Sequence, residues 1–205
     1  FADDINDGVV PEVAAIVVPK IDSVDALNTV SAALEGNGLG HIGVIAGIET
    51  GLGVADARPL LAHERVVAAY FGAEDFIADM GGIRTASNEE VLYARSAVAL
   101  AARLGGVPLL DQVVTDFRDD DRFIAECEQA RAIGYSGKLC IHPGQVALAN
   151  AAFIPSADEG DRARRLLEAY ENATSEGLAA IDFEGQMVDE PLAVQARRII
   201  ATGDE

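Results

Sequence analysis

The chain has 205 residues, half of them hydrophobic, which is enough for one domain with a substantial core. Its formal charge is −19, from 34 acidic against 15 basic residues, and this acidity argues against nucleic acid and anionic membranes as partners. No apolar segment reaches the roughly 20 residues of a membrane span, and the opening stretch FADDINDG lacks a signal-peptide pattern, so we expect a cytoplasmic protein.

The first predicted unit is a strand followed by a helix. Residues 14–18 form a short apolar run that Pro19 and Lys20 close. The helix begins at a capping residue, Asp22 or Ser23, carries apolar residues at helical spacing and ends in a glycine-rich stretch. This alternation is the start of an α/β pattern.

The second predicted strand covers residues 41–48, and Glu49 and Thr50 follow it directly. A short helix over 54–62 leads to the third strand, over 66–71. This third run has no polar alternation, which is typical of a parallel strand that is buried on both faces.

Two adjacent carboxylates follow the third strand. Gly72 ends the strand, and Glu74 and Asp75 come just past its carboxyl end, where parallel α/β folds keep their chemistry. Glu49 occupies the corresponding place after the neighbouring strand. Because the carboxyl ends of parallel strands meet at one edge, Glu49 and Asp75 can face one ion.

Two further strand and helix units complete the regular part of the chain. A long amphipathic helix is predicted from its capping residue, two glutamates in the first turn and apolar periodicity. The predicted elements are a helix over 87–104, a strand over 107–114, a helix over 121–132 and a strand over 139–141. After Pro155 only helices are predicted, over 158–174 and 192–202.

Five strand and helix units in succession predict a parallel sheet with right-handed crossovers. The strands are followed by no glycine-rich dinucleotide fingerprint and no phosphate loop, which weighs against a nucleotide-binding open sheet.

Cys127 and Cys140 are too few for a disulfide framework, and both lie in segments that look buried, so we expect reduced thiols. The only lysines, Lys20 and Lys138, lie at the edges of apolar runs, and a ligand-facing role for at least one of them stands beside an ordinary structural one.

Short strings along the chain together carry a family resemblance. They are VPK at 18–20, IET at 48–50, GAEDF at 72–76, GGIRT at 81–85, YARS at 93–96, TDFRD at 115–119, GYSGKLCIHPGQ at 134–145 and FEGQMVDEP at 183–191. In this order they resemble the citrate lyase β-subunit-like branch of the HpcH/HpaI aldolase family, over nearly the whole chain. The resemblance implies a TIM (β/α)8 barrel and a Mg2+-dependent acyl-CoA carbon–carbon lyase of the citryl-, malyl-, methylmalyl- or citramalyl-CoA type.

The chain departs from the family pattern at its start. Members of the family begin with about three further strands, which carry an acidic motif of the type DLED and an Arg-x-Asn strand end. The resemblance therefore implies that the five units here are strands 4–8 of the barrel, and we expect a longer natural chain. It also implies a barrel part over residues 1–155 and a helical extension over 156–205 that packs on a neighbouring subunit of a trimer or hexamer.

The resemblance assigns the metal and substrate contacts to the ends of two strands. Glu49 and Asp75 are implied as the protein ligands of Mg2+, and Glu49 also as a catalytic and substrate-binding residue. Gly72, Ala73 and Glu74 are implied to contact the substrate, with the N–H groups of Ala73 and Glu74 available to its carboxylate. The implied substrates are an acyl-CoA, with acetyl- or propionyl-CoA as product, and a 2-oxo acid such as glyoxylate, pyruvate or oxaloacetate.

Asp189 resembles the acid–base carboxylate that a neighbouring subunit of the family supplies in trans. The residues alone favour a helix cap ahead of Pro191, and it is the resemblance that favours the acid–base role. His142 is interpreted as a structural or CoA-contacting residue, and Arg84 and Arg95 either bind phosphate or carboxylate groups or form salt bridges.

Three alternatives remain open at this point. Lys20 lies at a strand end, where a lysine can form a Schiff base in metal-independent aldolases if burial lowers its pKa. The chain can also be an aldolase of hydroxy-keto acids that does not use CoA. In a different class, it can be a non-catalytic scaffold subunit.

Overall fold

A computed structural model describes residues 4, 5 and 8–203; residues 1–3, 6 and 7 of the opening stretch and residues 204–205 lie outside the described ranges. The chain divides into two compact units, residues 1–149 and 150–205. Among the described residues, no helix is both long enough and apolar enough to cross a membrane.

In the described part of the first unit, each strand is followed by one or two helices. In chain order its elements are β1 (Ala15–Val18), α1 (Val24–Gly36), β2 (Gly43–Ile48), α2 (Gly51–Ala55), α3 (Ala57–Leu61), β3 (Val66–Phe71), α4 (Ala73–Met80), α5 (Glu89–Gly105), β4 (Leu109–Asp111), α6 (Asp120–Ala132) and β5 (Gly137–Lys138). The five strands form one sheet in the order β1-β2-β3-β4-β5, and every neighbouring pair is parallel. The predicted parallel sheet is confirmed.

Local sequence signals account for several of these elements. Strand β3 has the predicted bounds, and its inner neighbour β2 is buried along nearly its whole length, as expected for a sheet covered on both faces. Ser23 caps α1 by accepting a hydrogen bond from the N–H of Ala26 at 3.3 Å. Asp119, rather than the predicted Asp121, caps α6 through the N–H of Arg122.

The last strand of the sheet lies earlier than predicted. The apolar residues 139–141 predict a strand, but β5 covers Gly137–Lys138, and β4 is also shorter than the predicted 107–114. Gln145 explains the early end of β5, because its side-chain oxygen accepts the N–H of Ile141 at 2.9 Å and that of His142 at 3.3 Å. The side chain of Gln145 thus accepts backbone N–H groups that a neighbouring strand would otherwise bind. Cys140, which was expected to be buried, is exposed.

Two elements of the first part of the chain have no counterpart in the prediction. Helix α4 begins directly after Gly72 and ends at Gly81, which adopts a left-handed conformation with φ 68°. Helix α7 (Pro143–Phe153) begins with a proline at its first position, where the missing N–H costs no helical hydrogen bond.

The second unit contains helices and one hairpin. Its elements are α8 (Ala157–Ser175), β6 (Ile181–Phe183), β7 (Gln186–Val188) and α9 (Glu190–Gly203). The prediction of helices alone is wrong here, because β6 and β7 pair as an antiparallel hairpin. Glu184 and Gly185 in its two-residue turn have φ of 54° and 80°, as a type I′ turn requires. Ala163, Leu166, Tyr170, Val188, Ala193 and Ala196 form the core of this unit.

A group of buried charges lies at the carboxyl ends of β4 and β5. Arg95 of α5 forms a bidentate pair with Asp111, at 3.0 and 2.9 Å, and the ammonium of Lys138 lies 2.9 Å from the same carboxylate and 3.2 Å from Glu126. All four side chains are at least nine-tenths buried. Buried charges persist only when they are paired, so Arg95 and Lys138 serve the core. The suggested ligand-facing role is therefore wrong for Lys138.

We expect Asp111→Asn to destabilise the fold by about 3–5 kcal/mol, because it leaves two buried cations facing a neutral amide. Chemical denaturation measures this loss as a change in the free energy of unfolding. Glu35→Gln is the matched control, since Glu35 pairs with Arg65 at 2.7 Å at the surface and should cost no more than about 1 kcal/mol. Equal losses in the two variants would contradict the structural role of the buried group.

Candidate functional site

Polar side chains collect where the first three strands end. Lys20 follows β1 after Pro19, Glu49 follows β2 directly, and Asp75 lies in the first turn of α4, just after β3. The parallel register brings these ends together, since Ile48 at the end of β2 pairs with Phe71 at the end of β3. This edge of the sheet is the candidate site.

Glu49 is the buried member of the site. It is 5% exposed, and its Oε1 accepts the backbone N–H of Lys20 at 3.0 Å and the hydroxyl of Tyr70 at 3.4 Å. Its other oxygen, Oε2, lies against Gly72, because an added Cβ at this glycine would overlap that oxygen and approach Glu49 Cβ to 2.8 Å. The carboxylate is thus held by its surroundings before any ligand arrives.

The environment of Glu49 disfavours an isolated negative charge. Burial raises the pKa of its carboxyl, the Lys20 N–H lowers it, and the negative charge of Asp75 raises it again, with a net increase. Burial also raises the pKa of Tyr70, which therefore stays a hydroxyl donor at neutral pH. A cation placed beside Glu49 would offset this cost, so the carboxylate is suited to binding one.

Asp75 is the exposed member of the site. Its Oδ1 lies 3.1 Å from the ammonium of Lys20, and both side chains are about half exposed, at 51% and 58%. Asp75 raises the pKa of Lys20 through their hydrogen bond and charge attraction. A Schiff base requires a lysine whose pKa is lowered, so the contacts of Lys20 argue against that alternative.

The first turn of α4 presents backbone donors beside these carboxylates. The first N–H groups of a helix, here those of Ala73 and Glu74, have no partner within the helix and point outward. Arg84 stabilises this turn, since its Nε donates to the side chain of Glu74 at 2.9 Å and its Nη2 to that of Asn88 at 3.0 Å. The side chain of Glu74 is thus engaged with Arg84, while its backbone N–H remains suited to an anion.

Arg84 also forms an ion pair with Glu90, which lies in the first turn of α5. Burial raises the pKa of Glu90, but the hydroxyl and the N–H of Thr85 together with the charge of Arg84 outweigh it and lower the pKa to about 2. Glu90 therefore anchors the loop between α4 and α5 to the start of α5.

The donor set fits a magnesium ion. Glu49 and Asp75 offer hard carboxylate oxygens from neighbouring strand ends, and the ammonium of Lys20 already places a positive charge at Asp75. Within residues 4, 5 and 8–203, no group of three or more His, Cys, Asp or Glu side chains converges as a metal cage. Mg2+ does not require one, because it keeps several waters and takes one or two carboxylates plus oxygens of its substrate.

Asp189 and His142 are two further residues singled out from the sequence. Asp189 belongs to the second unit, where it precedes α9 and its carbonyl accepts the N–H groups of Leu192 and Ala193, both at 3.1 Å. Its acid–base role stays a prediction. His142 stacks on Phe117 with ring centroids 5.0 Å apart, and its Nδ1 accepts the N–H of Gly144, so it organises a loop.

Two contributors to the site were not predicted from the sequence. Tyr70 looks like one more apolar residue of β3, and only the parallel register shows that it reaches Glu49. Gly47 allows this contact, since an added Cβ there would overlap the hydroxyl of Tyr70. A glycine inside a strand was the one available signal, because it often marks a close approach.

The chain matches a family model over residues 1–143, described as HpcH/HpaI aldolase/citrate lyase. A citrate lyase subunit beta-like protein of Deinococcus radiodurans is 49% identical over 98% of this chain and 70% of the relative. The match continues through the second unit, beyond the residues that the family model covers.

Two solved structures of Mycobacterium tuberculosis proteins are similar to the chain. One is protein CitE in complex with magnesium, acetoacetate and coenzyme A, with 29% identity, a TM-score of 0.77 and coverage of 100% of this chain and 83% of the other. The second is a citrate lyase beta subunit complexed with oxaloacetate and magnesium, with 31% identity, a TM-score of 0.60 and coverage of 70% and 63%.

We expect Gly72→Ala to displace the carboxylate of Glu49, because the new methyl group takes the space of Oε2. The predicted cost is roughly 1–3 kcal/mol of unfolding free energy, measured by urea denaturation. Gly36→Ala is the matched control, since nothing lies within 4 Å of an added Cβ at the end of α1. An equal response of the two variants would show that Gly72 does not support Glu49.

We expect the stability advantage of the wild type over Glu90→Gln to depend on pH. A folded-state pKa of about 2, below the ordinary 4.5, stabilises the fold fully above pH 4.5, and this contribution is lost as the pH falls toward 2. Urea denaturation of both proteins at about pH 7 and about pH 3 measures the difference, which should shrink in acid. A difference that is the same at both values would contradict the assigned contacts.

Proposed function

The chain belongs to the HpcH/HpaI aldolase/citrate lyase family, and we propose that it is a Mg2+-dependent lyase that cleaves a 3-hydroxyacyl-CoA into an acyl-CoA and a 2-oxo acid. Its relatives place it among the carbon–carbon lyases. The observation that carries the finer proposal is the placement of Glu49 and Asp75 at neighbouring strand ends, where both contact Lys20.

We propose that β1 to β5 correspond to strands 4–8 of a (β/α)8 barrel. Five consecutive parallel strands joined by helices, in sequential order, are what the second part of such a barrel contains. The candidate site lies at the carboxyl ends of the strands, where barrels of this class keep their active sites. We also propose that residues 156–205 are the helical extension that contacts a neighbouring subunit of a trimer or hexamer.

The two carboxylates would hold the metal ion in this proposal. Glu49 is fixed by burial, by Tyr70 and by the N–H of Lys20, whereas Asp75 is free to adjust at the surface. When bound there, Mg2+ supplies Lewis acidity that polarises a carbonyl or hydroxyl oxygen of the substrate. The oxaloacetate and magnesium complex of the similar structure supports this pairing of ion and oxo acid.

The first turn of α4 would orient the substrate. The N–H groups of Ala73 and Glu74 are suited to a carboxylate, and the helix dipole favours negative charge at this end. Arg84 keeps the turn in place through Glu74. We propose that Gly72, Ala73 and Glu74 together bind the carboxylate of a 2-oxo acid such as glyoxylate, pyruvate or oxaloacetate.

Asp189 would exchange the proton of the acyl-CoA carbon from a neighbouring subunit. This role rests on the QMVDEP string and on the coenzyme A in the structure of the similar CitE protein. An oligomer is then a condition of activity. We also propose a cytoplasmic location and a CoA-dependent substrate.

We expect the full-length protein, given Mg2+, acetyl- or propionyl-CoA and glyoxylate, pyruvate or oxaloacetate, to form a new acyl-CoA that mass spectrometry detects. Glu49→Gln and Asp75→Asn should each lower the rate by roughly 100-fold or more, because each removes a metal ligand. Glu35→Gln, an exposed change of the same chemistry, should leave the rate unchanged.

The Asp189→Asn variant separates the two halves of the proposal. It should bind Mg2+ as the wild type does and yet form little product. Absence of product with every substrate pair, together with absence of Mg2+ binding, would favour the scaffold alternative. Product from oxo acids without any CoA ester would favour the aldolase.

A further inference from the structure

Lys20 contacts both carboxylates of the site, but through different parts of the residue. Its backbone N–H donates to Glu49 Oε1 at 3.0 Å, and its ammonium lies 3.1 Å from Asp75 Oδ1. Its φ is 53°, a left-handed conformation that few non-glycine residues adopt. Strained backbone of this kind concentrates at functional sites.

We propose that Lys20 is a displaceable counter-ion: its ammonium neutralises Asp75 when no metal is bound, leaves when a divalent cation enters, and then pairs with the anionic substrate. Its N–H stays on Glu49 throughout. This inference rests on the proposed function, because it takes Glu49 and Asp75 as the metal site.

The charges make the displacement necessary. A divalent cation held by Asp75 would lie within a few ångströms of an ammonium on the same carboxylate, and the two positive charges repel each other. The side chain of Lys20 is 58% exposed, so it can turn into solvent without unpacking the core. Its long flexible stem keeps the ammonium within reach of an anion bound at the metal.

The backbone around Lys20 is fixed, in contrast to the side chain. Ile21 donates its N–H to the carbonyl of Gly47 at 3.0 Å, and Pro19 packs closely against the same glycine. The N–H of Lys20 is therefore held in place toward Glu49 by its neighbours on both sides. One residue thus combines a fixed donor for one carboxylate with a movable cation for the other.

Substitution of Lys20 by glycine separates the role of the ammonium from that of the backbone N–H. Lys20→Gly favours the same positive φ and keeps the N–H, while it removes the cation. Lys20→Arg keeps a cation at the same backbone position and serves as the matched control. Circular dichroism of both variants establishes that they fold as the wild type does.

Calorimetric titration of the chain with Mg2+, without substrate, measures the first effect. Lys20→Gly should bind Mg2+ roughly 1.5- to 5-fold more tightly than the wild type, because no exposed ion pair has to be broken first. Lys20→Arg should stay close to the wild type.

Titration with pyruvate at saturating Mg2+ measures the second effect, and Lys20→Gly should bind pyruvate more weakly than the wild type does. A merely structural role for Lys20 would not move the two affinities in opposite directions.

The Asp75→Asn variant distinguishes the two possible failures. If the wild type binds no Mg2+, or Asp75→Asn binds it as well as the wild type, the proposed metal site is wrong and the inference fails with it. If Asp75→Asn loses Mg2+ binding but Lys20→Gly binds Mg2+ no more tightly, or pyruvate no more weakly, than the wild type, the proposed function stands and the role of Lys20 is overturned.

Discussion

The parallel register of β2 and β3 is the constraint on which the candidate site depends. Pairing of Ile48 with Phe71 places the residues that follow, Glu49 and Gly72, side by side, and the absence of a side chain at Gly72 leaves room for the carboxylate. A slip of one residue would turn Glu49 to the other face of the sheet. The packing of the sheet therefore fixes one of the two proposed metal ligands, and the first turn of α4 carries the other.

Charge is used in two different ways within this one sheet. At the ends of β4 and β5, paired charges are buried and stabilise the structure, and none of these side chains is open to a ligand. At the ends of β1 to β3, the charges are only partly compensated, with one buried carboxylate whose pKa is raised and one exposed ion pair. Incomplete compensation of this kind marks the functional edge, because a ligand can still improve it.

The sequence predicted the sheet well where local patterns suffice. The apolar run of β3 and the capping and periodicity of α1 and α5 carry their own signals, and the two acidic strand ends followed from them. Helix α4 was missed because eight residues between glycines resemble a loop. The shift of β5 depends on the side chain of Gln145, four residues beyond Ile141, which no strand pattern encodes.

Sequence patterns could not predict the contacts between residues within the candidate site. Lys20 meets Glu49 across 29 positions and Tyr70 meets it across 21, so both contacts exist only once the sheet has formed. Lys138 likewise finds its partners 12 and 27 positions away, and these contacts decide for the structural one of the two roles that its sequence position left open. Contacts between residues far apart in the chain are therefore the part of the site that local sequence patterns do not encode.

The proposed function depends above all on Glu49 and Asp75 sharing one divalent cation. Anomalous diffraction from crystals grown with Mn2+ in place of Mg2+ is the sharpest test, because the anomalous signal of Mn2+ locates the ion independently of the protein atoms. We expect one peak about 2.1 Å from an oxygen of each carboxylate, with the Lys20 ammonium moved off Asp75. A peak bound elsewhere, or no peak while Lys20 still pairs with Asp75, would contradict it.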